Sequence, residues 1–521
     1  MAITVLVLLL VAPGLATIEP GIIYPKMLTS RSDKGEKVIK LNNDITLNLQ
    51  KSTIFPEEFL VYTTVDETPA RHLMKGEDAE ANLYHDVNYM ASLDVSEEDG
   101  LEILGAIGPT LRIKPMPDME RSLDGQKAHM LYHDEEPKFL RDQFHDDIGD
   151  PRKFDNTTAV LERDQQDSSA PDTLQGSSFI ESRKDSTSRH HRTHTRLPLT
   201  IYPEVHFVLD YLYCKAYDFK LKQIMTSIAI AGNAVNLRYT SLKLPRVQIR
   251  IVGVSITKSE SEEPYMVHVP GHRETRNILY EHTLWNFTVF TRKQDYFHRS
   301  DIVFLVTGRN LSEWEGNKLV SWVGGYAYAA TACTNWKVGM SEERPRSFYG
   351  IYVLAHELAH VLGCMHDGGG PKGWPDGIIG SRDCPWDDGY LMSYKFIIPY
   401  VYSFSKCCSR EIMNFYNRPN YTCLSEKNSN QEVLYSPRLP GNKIDYNMFC
   451  RKVYYSYEYV EAAEKTSVPS NCLLTCYTNR ARTTSKLAYV VDGMHCGGKK
   501  VCILGNCTTP PEIKKPKDIA E

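Results

Sequence analysis

The chain has 521 residues, with 60 Lys and Arg against 65 Asp and Glu and a formal net charge of −5. That length exceeds what one compact core accommodates and implies about three domains. The faint acidity excludes the basic footprint of a nucleic-acid binder, while 42% hydrophobic and 24% charged residues are ordinary for a globular protein.

Ile3 to Val11 form a short, mostly apolar run closed by Pro13 and Gly14, with small residues at Gly14 and Ala16. The run is far short of the ~20 residues that span a bilayer, so it predicts a signal peptide over 1–16, although a basic leading region is missing. No later stretch is long and apolar enough to cross a membrane, and the expected product is secreted and extracellular. Residues 17–196 contain no cysteine, and alternation such as Ile45-Thr46-Leu47-Asn48-Leu49 predicts strands. From His133 to Arg196 the chain turns polar, and segments such as Asp167-Ser168-Ser169-Ala170-Pro171 bury too little to order themselves. A flexible linker follows from that composition. It ends in a basic, histidine-rich cluster over 189–196, readable as a processing site, a solvated charge run or a small metal site.

Over 197–424, strands at Val205–Leu209, Val247–Val254 and Asp301–Val306 interleave with helices at Lys222–Ala234 and Glu281–Arg292. Such interleaving predicts an α/β layered domain. Residues 425–521 are cysteine-rich with little helical periodicity beyond Tyr457–Lys465, which predicts a small disulfide-rich domain. None of the 13 cysteines precedes Cys214, and their crowding toward the end fits an oxidising compartment. The odd count leaves one cysteine free, paired between chains or lost in processing. Glycosylation acceptor patterns stand at Asn156, Asn286, Asn310, Asn420 and Asn506.

The decisive segment is His356-Glu357-Leu358-Ala359-His360-Val361-Leu362-Gly363-Cys364-Met365-His366-Asp367. On a helix His356 and His360 lie one turn apart, where both imidazoles reach one tetrahedral ion. Glu357 stands beside them, placed to touch a metal-bound water without filling a ligand position. Gly363 can take a positive φ, ending the helix and returning His366 as a third ligand. Three protein nitrogens leave a position open, the mark of a catalytic zinc. The full pattern with glycine and third histidine arises by chance in about one such chain in ten thousand.

This motif resembles that of the metzincins, and Asp367 after the third histidine is similar to the adamalysin/reprolysin branch. Asp388-Gly389-Tyr390-Leu391-Met392-Ser393-Tyr394 resembles the Met-turn, in which Met392 would floor the zinc, and Phe404-Ser405-Lys406-Cys407-Cys408-Ser409 resembles the start of the closing helix. Tyr84-His85-Asp86-Val87, Leu111-Arg112-Ile113-Lys114-Pro115 and His129-Met130-Leu131-Tyr132 look like a reprolysin prodomain. Asp492-Gly493-Met494-His495-Cys496-Gly497-Gly498 is similar to a cysteine-rich module of ADAMTS-like proteins. As a whole the chain resembles the reprolysin-like metalloproteases of tick saliva. The resemblance implies a signal peptide over 1–16, a β-rich prodomain with linker over 17–196, a catalytic domain over 197–424 and a cysteine-rich domain over 425–521.

It further implies one zinc on His356, His360 and His366, Glu357 as general base, and Gly324, Gly325, Tyr326 and Ala327 as the edge strand along which substrate pairs. The same edge residues also read as an ordinary edge strand. Cys333 with Cys423, and Cys364 and Cys384 each with one of Cys407 and Cys408, are the disulfides the resemblance implies. Calcium is implied by Glu204 and Asp301, although Glu426 stands where relatives carry Asn or Asp. Relatives that use a prodomain cysteine for latency differ from this chain, so latency must come from a prodomain covering the cleft or from another ligand. Two functions compete: a secreted endopeptidase made as a zymogen and cleaving extracellular matrix or clotting proteins, and a silent binding protein whose cysteine-rich tail engages a receptor or matrix. Glu357 separates them, because a scaffold is free to lose its base and this chain keeps it.

Overall fold

A computed structural model describes residues 20–29, 36–65, 68–134, 148–150, 200–271, 276–397, 400–425, 445–454, 457–463, 472–490, 494–503 and 506–509. The signal segment, the basic cluster over 189–196, Asn156 and Glu426 lie outside them.

The N-terminal region is β-rich, as its alternation implies. Nine strands form one antiparallel sheet in the order Gly21–Ile23, His129–His133, Leu111–Pro115, Glu102–Ile107, Ala91–Ser96, Leu83–Asp86, Thr46–Lys51, Lys37–Lys40 and Lys26–Thr29. Leu47 and Leu49 point inward while Asn48 and Gln50 face out, the period of two that marks a half-buried strand.

The metal-motif region is built on a second sheet of mixed direction. Glu204–Leu209 lies at its centre, parallel to Arg250–Ile256 on one side and Ile302–Thr307 on the other. Val338–Glu342 continues parallel to Ile302–Thr307, and Gly325–Tyr328 closes this side antiparallel. The runs of Val, Ile and Phe are continuous because helices and the N-terminal region bury the sheet on both faces. Helices span Leu221–Tyr239, Tyr280–Arg292, Ile351–Leu362 and Lys406–Tyr416. The second strand begins at Arg250 rather than Val247, which belongs to a separate two-residue strand, Arg246–Val247, beside Thr200–Ile201.

The N-terminal region also adds strands to this second sheet. The hairpin Glu58–Val65 and Thr68–Lys75 extends it beyond Arg250–Ile256, through Gly253 to Ser255 paired with Leu60 to Tyr62. Ile148–Gly149 pairs parallel with Ala327 and Tyr328 at the opposite edge. This corrects the flexible-linker reading at 148–150: composition says how little a segment buries, whereas an open sheet edge supplies backbone partners to any sequence.

The cysteine-rich tail has its own small core around Phe449, Leu474 and Met494, stapled by Cys450–Cys476, Cys472–Cys502 and Cys496–Cys507. Its helix is Tyr446–Val453, capped by the Asp445 carboxylate, and not Tyr457–Lys465. Within that latter stretch Glu461–Ala462 instead pairs with Cys476 and Tyr477, because sheet pairing outweighed a weak helical pattern. The odd cysteine is Cys214, a buried thiol that donates to the Leu209 carbonyl at 3.5 Å. No helix among the described residues is long and apolar enough to cross a membrane.

Candidate active site

The helix Ile351–Leu362 is buried along its whole length and carries His356, Glu357 and His360. It stops at Gly363, whose φ of +118° belongs to the left-handed side, and a Cβ there would stand 2.7 Å from Cδ2 of Phe415. Glycine is needed at this position for both reasons. The helix's last carbonyls are not orphaned: the amides of Ala330, Thr331 and Ala332 donate to His360 and Val361 at 2.8 to 3.1 Å. Tyr239, from the long helix Leu221–Tyr239, donates to the Ala355 carbonyl at 3.0 Å.

The turn brings His366 back. The three Nε2 atoms of His356, His360 and His366 lie 3.1 to 3.2 Å apart, and all three rings are buried. Nδ1 of His356 faces the Leu391 carbonyl at 2.9 Å and Nδ1 of His360 faces the Cys364 carbonyl at 2.7 Å. A carbonyl only accepts, so these Nδ1 atoms hold the protons and their Nε2 lone pairs converge. Converging lone pairs repel unless a cation lies between them. Their separation is close to the ~3.3 Å edge of a tetrahedral site with ~2.05 Å bonds, so the residues fit zinc.

The stretch around Met392 packs against the histidines. Met392 is fully buried, its carbonyl accepts from the Asp367 amide at 3.0 Å, and the Tyr352 hydroxyl lies 2.7 and 2.6 Å from the carbonyls of Leu391 and Ser393. Burial pushes the Asp367 carboxyl up to about 7, while Ser405 donates to it at 2.5 Å. Two disulfides lock this layer to the helix Lys406–Tyr416: Cys364 with Cys408, and Cys384 with Cys407. Cys333 with Cys423 ties the end of the edge-strand loop to the chain beyond that helix. Arg410 forms a two-pronged pair with Asp383 at 2.8 and 2.9 Å and also reaches the Gly380 carbonyl.

The strand expected at the sheet edge is Gly325–Tyr328, with Gly324 just outside it and Ile148–Gly149 lying beyond. A Cβ on Gly325 would stand 2.4 Å from Cγ and 2.6 Å from Oε1 of Glu357, so the strand runs directly against the buried glutamate. Tyr326 donates from its hydroxyl to Glu281 at 2.9 Å.

One residue of the site was not assigned a role from the sequence. Tyr394, two positions after Met392, is buried with its hydroxyl 3.4 Å from Nε2 of His366. Its ring stacks on His356 at 5.6 Å between centroids and meets Trp386 edge-on at 5.1 Å. The signal available in the sequence was a phenol close after the turn methionine.

Of the remaining candidates, Glu204 and Asp301 adjoin each other: the Glu204 amide donates to Oδ2 of Asp301 at 2.9 Å. Asn310 is exposed, Asn286 is half-buried in the helix Tyr280–Arg292, and Asn420 and Asn506 fall in Pro419–Ser425 and Asn506–Thr508.

Comparison with known proteins places this geometry. Residues 204–405 match the model of metallo-peptidase family M12, Reprolysin_5. A protein of Bombyx mori named "A disintegrin and metalloproteinase with thrombospondin motifs like" is 26% identical over 516 residues, covering 90% of this chain and 71% of that one. Venom metalloproteinase BumaMPs1 of Olivierus martensii is 26% identical over 76% of this chain and 90% of its own length. The venom metalloproteinase antarease-like TtrivMP_A of Tityus trivittatus is 23% identical over 78% of this chain and 93% of its own. With the family match spanning the sheet, the histidine helix and the stretch around Met392, residues 204–405 form a metallopeptidase domain of family M12, similar to the adamalysin/reprolysin metzincins, and the chain is a zinc metalloendopeptidase.

Proposed function

We propose that the protein is secreted as a zymogen and, once processed, cleaves extracellular proteins, with matrix and clotting proteins as the substrate class. The observation that carries this reading is the triangle of Nε2 atoms with Glu357 buried beside it and a strand edge running against that glutamate. Secretion is supported by the apolar leader, the six disulfides and the relatives named as venom metalloproteinases.

His356, His360 and His366 would hold the zinc, which when bound lowers the pKa of a water toward ~7 and polarises the scissile carbonyl. Glu357 takes the proton of the attacking water and returns it to the departing amine. A substrate backbone pairs along Gly325 to Ala327, so its carbonyl arrives beside the glutamate. The Tyr394 hydroxyl, 3.4 Å from Nε2 of His366, donates a hydrogen bond to the oxygen that gains charge.

The test is digestion of a denatured protein by the processed chain, with and without a chelator, beside Glu357→Ala. Chelator-sensitive cleavage that disappears in the variant is the expected outcome. A zinc-loaded wild type that cleaves nothing yet binds a receptor tightly would instead establish the binding-protein reading through the tail.

A further inference from the structure

The extended chain beside Glu357 does not begin at Gly325. Lys318–Val323 runs into Gly325–Tyr328 across a single residue, Gly324, and forms a hairpin with Asn310–Glu315 through the turn at Gly316 and Asn317. The inner side of this long strand is filled without a gap. Leu311 pairs with Val323, the Glu342 amide donates to the Gly324 carbonyl at 2.8 Å, and Ser341 pairs with Gly325. Leu311 and Glu342 also meet, the Leu311 amide donating to Oε1 of Glu342 at 2.9 Å. The outer side is therefore one continuous edge from Lys318 to Tyr328. Among the described strands only Ile148–Gly149 pairs with that edge, at Ala327 and Tyr328, and Lys318–Val323 ends its own sheet.

The two faces of the hairpin differ. Glu313 and Val320 stand opposite each other on the inward face: Val320 is buried, and Glu313 accepts from the Tyr280 hydroxyl at 2.7 Å. On the other face Trp314 stands opposite Leu319, and the indole is 45% exposed. Directly opposed side chains on one face of a strand pair touch, so these two make an apolar patch at the hairpin's tip. Leu311 and Val323 anchor the base of the hairpin in a buried cluster with Tyr280 and Tyr326, and neither Trp314 nor Leu319 belongs to it. Leu319 precedes Gly325 by about 20 Å of strand at ~3.3 Å per residue.

We propose that Lys318–Val323 lengthens the substrate track and that Trp314 and Leu319 form a remote subsite, selecting an extended polypeptide with a bulky apolar side chain about six residues from the scissile bond. The inference rests on the endopeptidase reading, with Gly325 to Ala327 pairing the substrate backbone. A peptide on the outer edge lies ~4.8 Å from Lys318–Val323, so its side chains on the patch face land against Leu319 with the indole beyond it. Burial of that side chain adds affinity far from the reacting groups, where it cannot disturb them. A peptide too short to reach the tip keeps the pairing beside Glu357 and loses this contact. The substrate class is therefore a segment that opens into a strand over ~20 Å, such as an unfolded loop or linker, rather than a tight turn.

The experiment gives the zinc-loaded processed chain three quenched fluorescent peptides sharing one cleaved sequence. The short one has about three residues on each side of the bond, and the long ones about eight, with either Phe or Ser about six residues out on both sides. The long Phe peptide is expected to show kcat/KM about tenfold above the other two, through a lower KM, as burying one large apolar side chain implies. Trp314→Ala should bring the long-to-short ratio of kcat/KM from about ten to about one, and Trp314→Phe should restore most of it. If Trp314→Ala is not secreted in folded form, Leu319→Ser on the same patch decides by the same ratio. Equal kcat/KM for the three peptides overturns the proposal, as does a ratio that survives in the folded variant. A zinc-loaded processed wild type that cleaves none of them condemns the endopeptidase reading itself, and the proposal with it.

Discussion

A methyl group at position 325 would overlap Cγ of Glu357, so glycine there is what lets the edge strand lie against the base. Gly325→Ala should displace the carboxylate while leaving the histidines untouched. The expected result is a kcat about a hundredfold lower with one zinc still bound by atomic absorption, because a shift near 1 Å in a reacting group costs that much. An unchanged kcat would mean that Glu357 does not need its present position. Tyr394 gives a second prediction at this scale. Tyr394→Phe keeps the ring on His356 and against Trp386 and removes only the hydroxyl. If that hydroxyl serves the oxyanion, kcat falls roughly a hundredfold with KM and zinc content near wild type, the usual effect of deleting one such donor. A rate equal to wild type would reduce Tyr394 to packing.

Among the elements, the histidine helix was the most legible in the sequence. His356 and His360 are fixed by the helical repeat, and His366 by a glycine-terminated turn six residues on, so local geometry alone brings them together. The sequence pattern carries the helix Leu221–Tyr239 only to Ala234, five residues short of its end, because Val235 to Tyr239 owe their place to burial rather than to pattern. Tyr394 offers the sequence reader only a phenol two positions after Met392, since its direction is set by Trp386 and His356 after the chain has doubled back. The disulfide from Cys364 to Cys408 couples two elements across a sequence separation of 44. Replacing both cysteines by serine should lower stability by ~4 kcal/mol on loop-closure entropy, read as a lower melting temperature. A loss under ~1 kcal/mol would show that the surrounding hydrogen bonds hold the turn without it. The loop from Glu343 to Gly350, which leads into the helix, carries a pH effect. Burial pushes the Glu343 carboxyl from 4.5 up to about 8, with the Gly350 amide and the Arg112 charge opposing the rise. The folded chain therefore keeps a proton that the unfolded chain loses. This stabilisation is complete below about pH 4.5 and drains away as pH climbs to about 8. The full chain's melting temperature should fall between pH 5 and 8.5, and Glu343→Gln should flatten the fall by a few kcal/mol at ~1.4 kcal/mol per unit. Glu263, raised to about 8 by burial and by Asp210, leaves a residual slope in the same window. Equal slopes in variant and wild type would remove Glu343 as the cause.

At the scale of the molecule, the N-terminal region and the metal-motif region share one hydrophobic core rather than meeting at a wet interface: Leu93 and Ile107 belong to the same cluster as Ile228, Leu358 and Met392. Cysteine content divides the two regions in the sequence but gives no sign of this fusion, which depends on contacts between residues more than a hundred apart. Two buried polar contacts mark it. Ser92 donates to the Ile230 carbonyl at 2.8 Å and accepts from Asn233 at 3.0 Å, seating the nine-stranded sheet on the helix Leu221–Tyr239. Arg112, itself buried, donates to the carbonyls of Ser347 and Phe348 at 2.9 and 3.1 Å, gripping the loop that opens the histidine helix. Both contacts hold elements that position the zinc ligands, while the sheet covers apolar helix surface that would otherwise face water as the chain folds. A chain begun at residue 197 should then fold poorly, exposing that helix face to aggregation. Supplying residues 20–196 as a separate polypeptide during synthesis should restore secreted, zinc-loaded protein, and Arg112→Ala in the added piece should weaken the rescue. The measurement is the yield of monomer by size exclusion with its zinc content. A catalytic domain that folds to the same yield alone would mean that the shared core is dispensable for folding. The N-terminal region's contribution would then lie in the strand it lays along Ala327 and Tyr328.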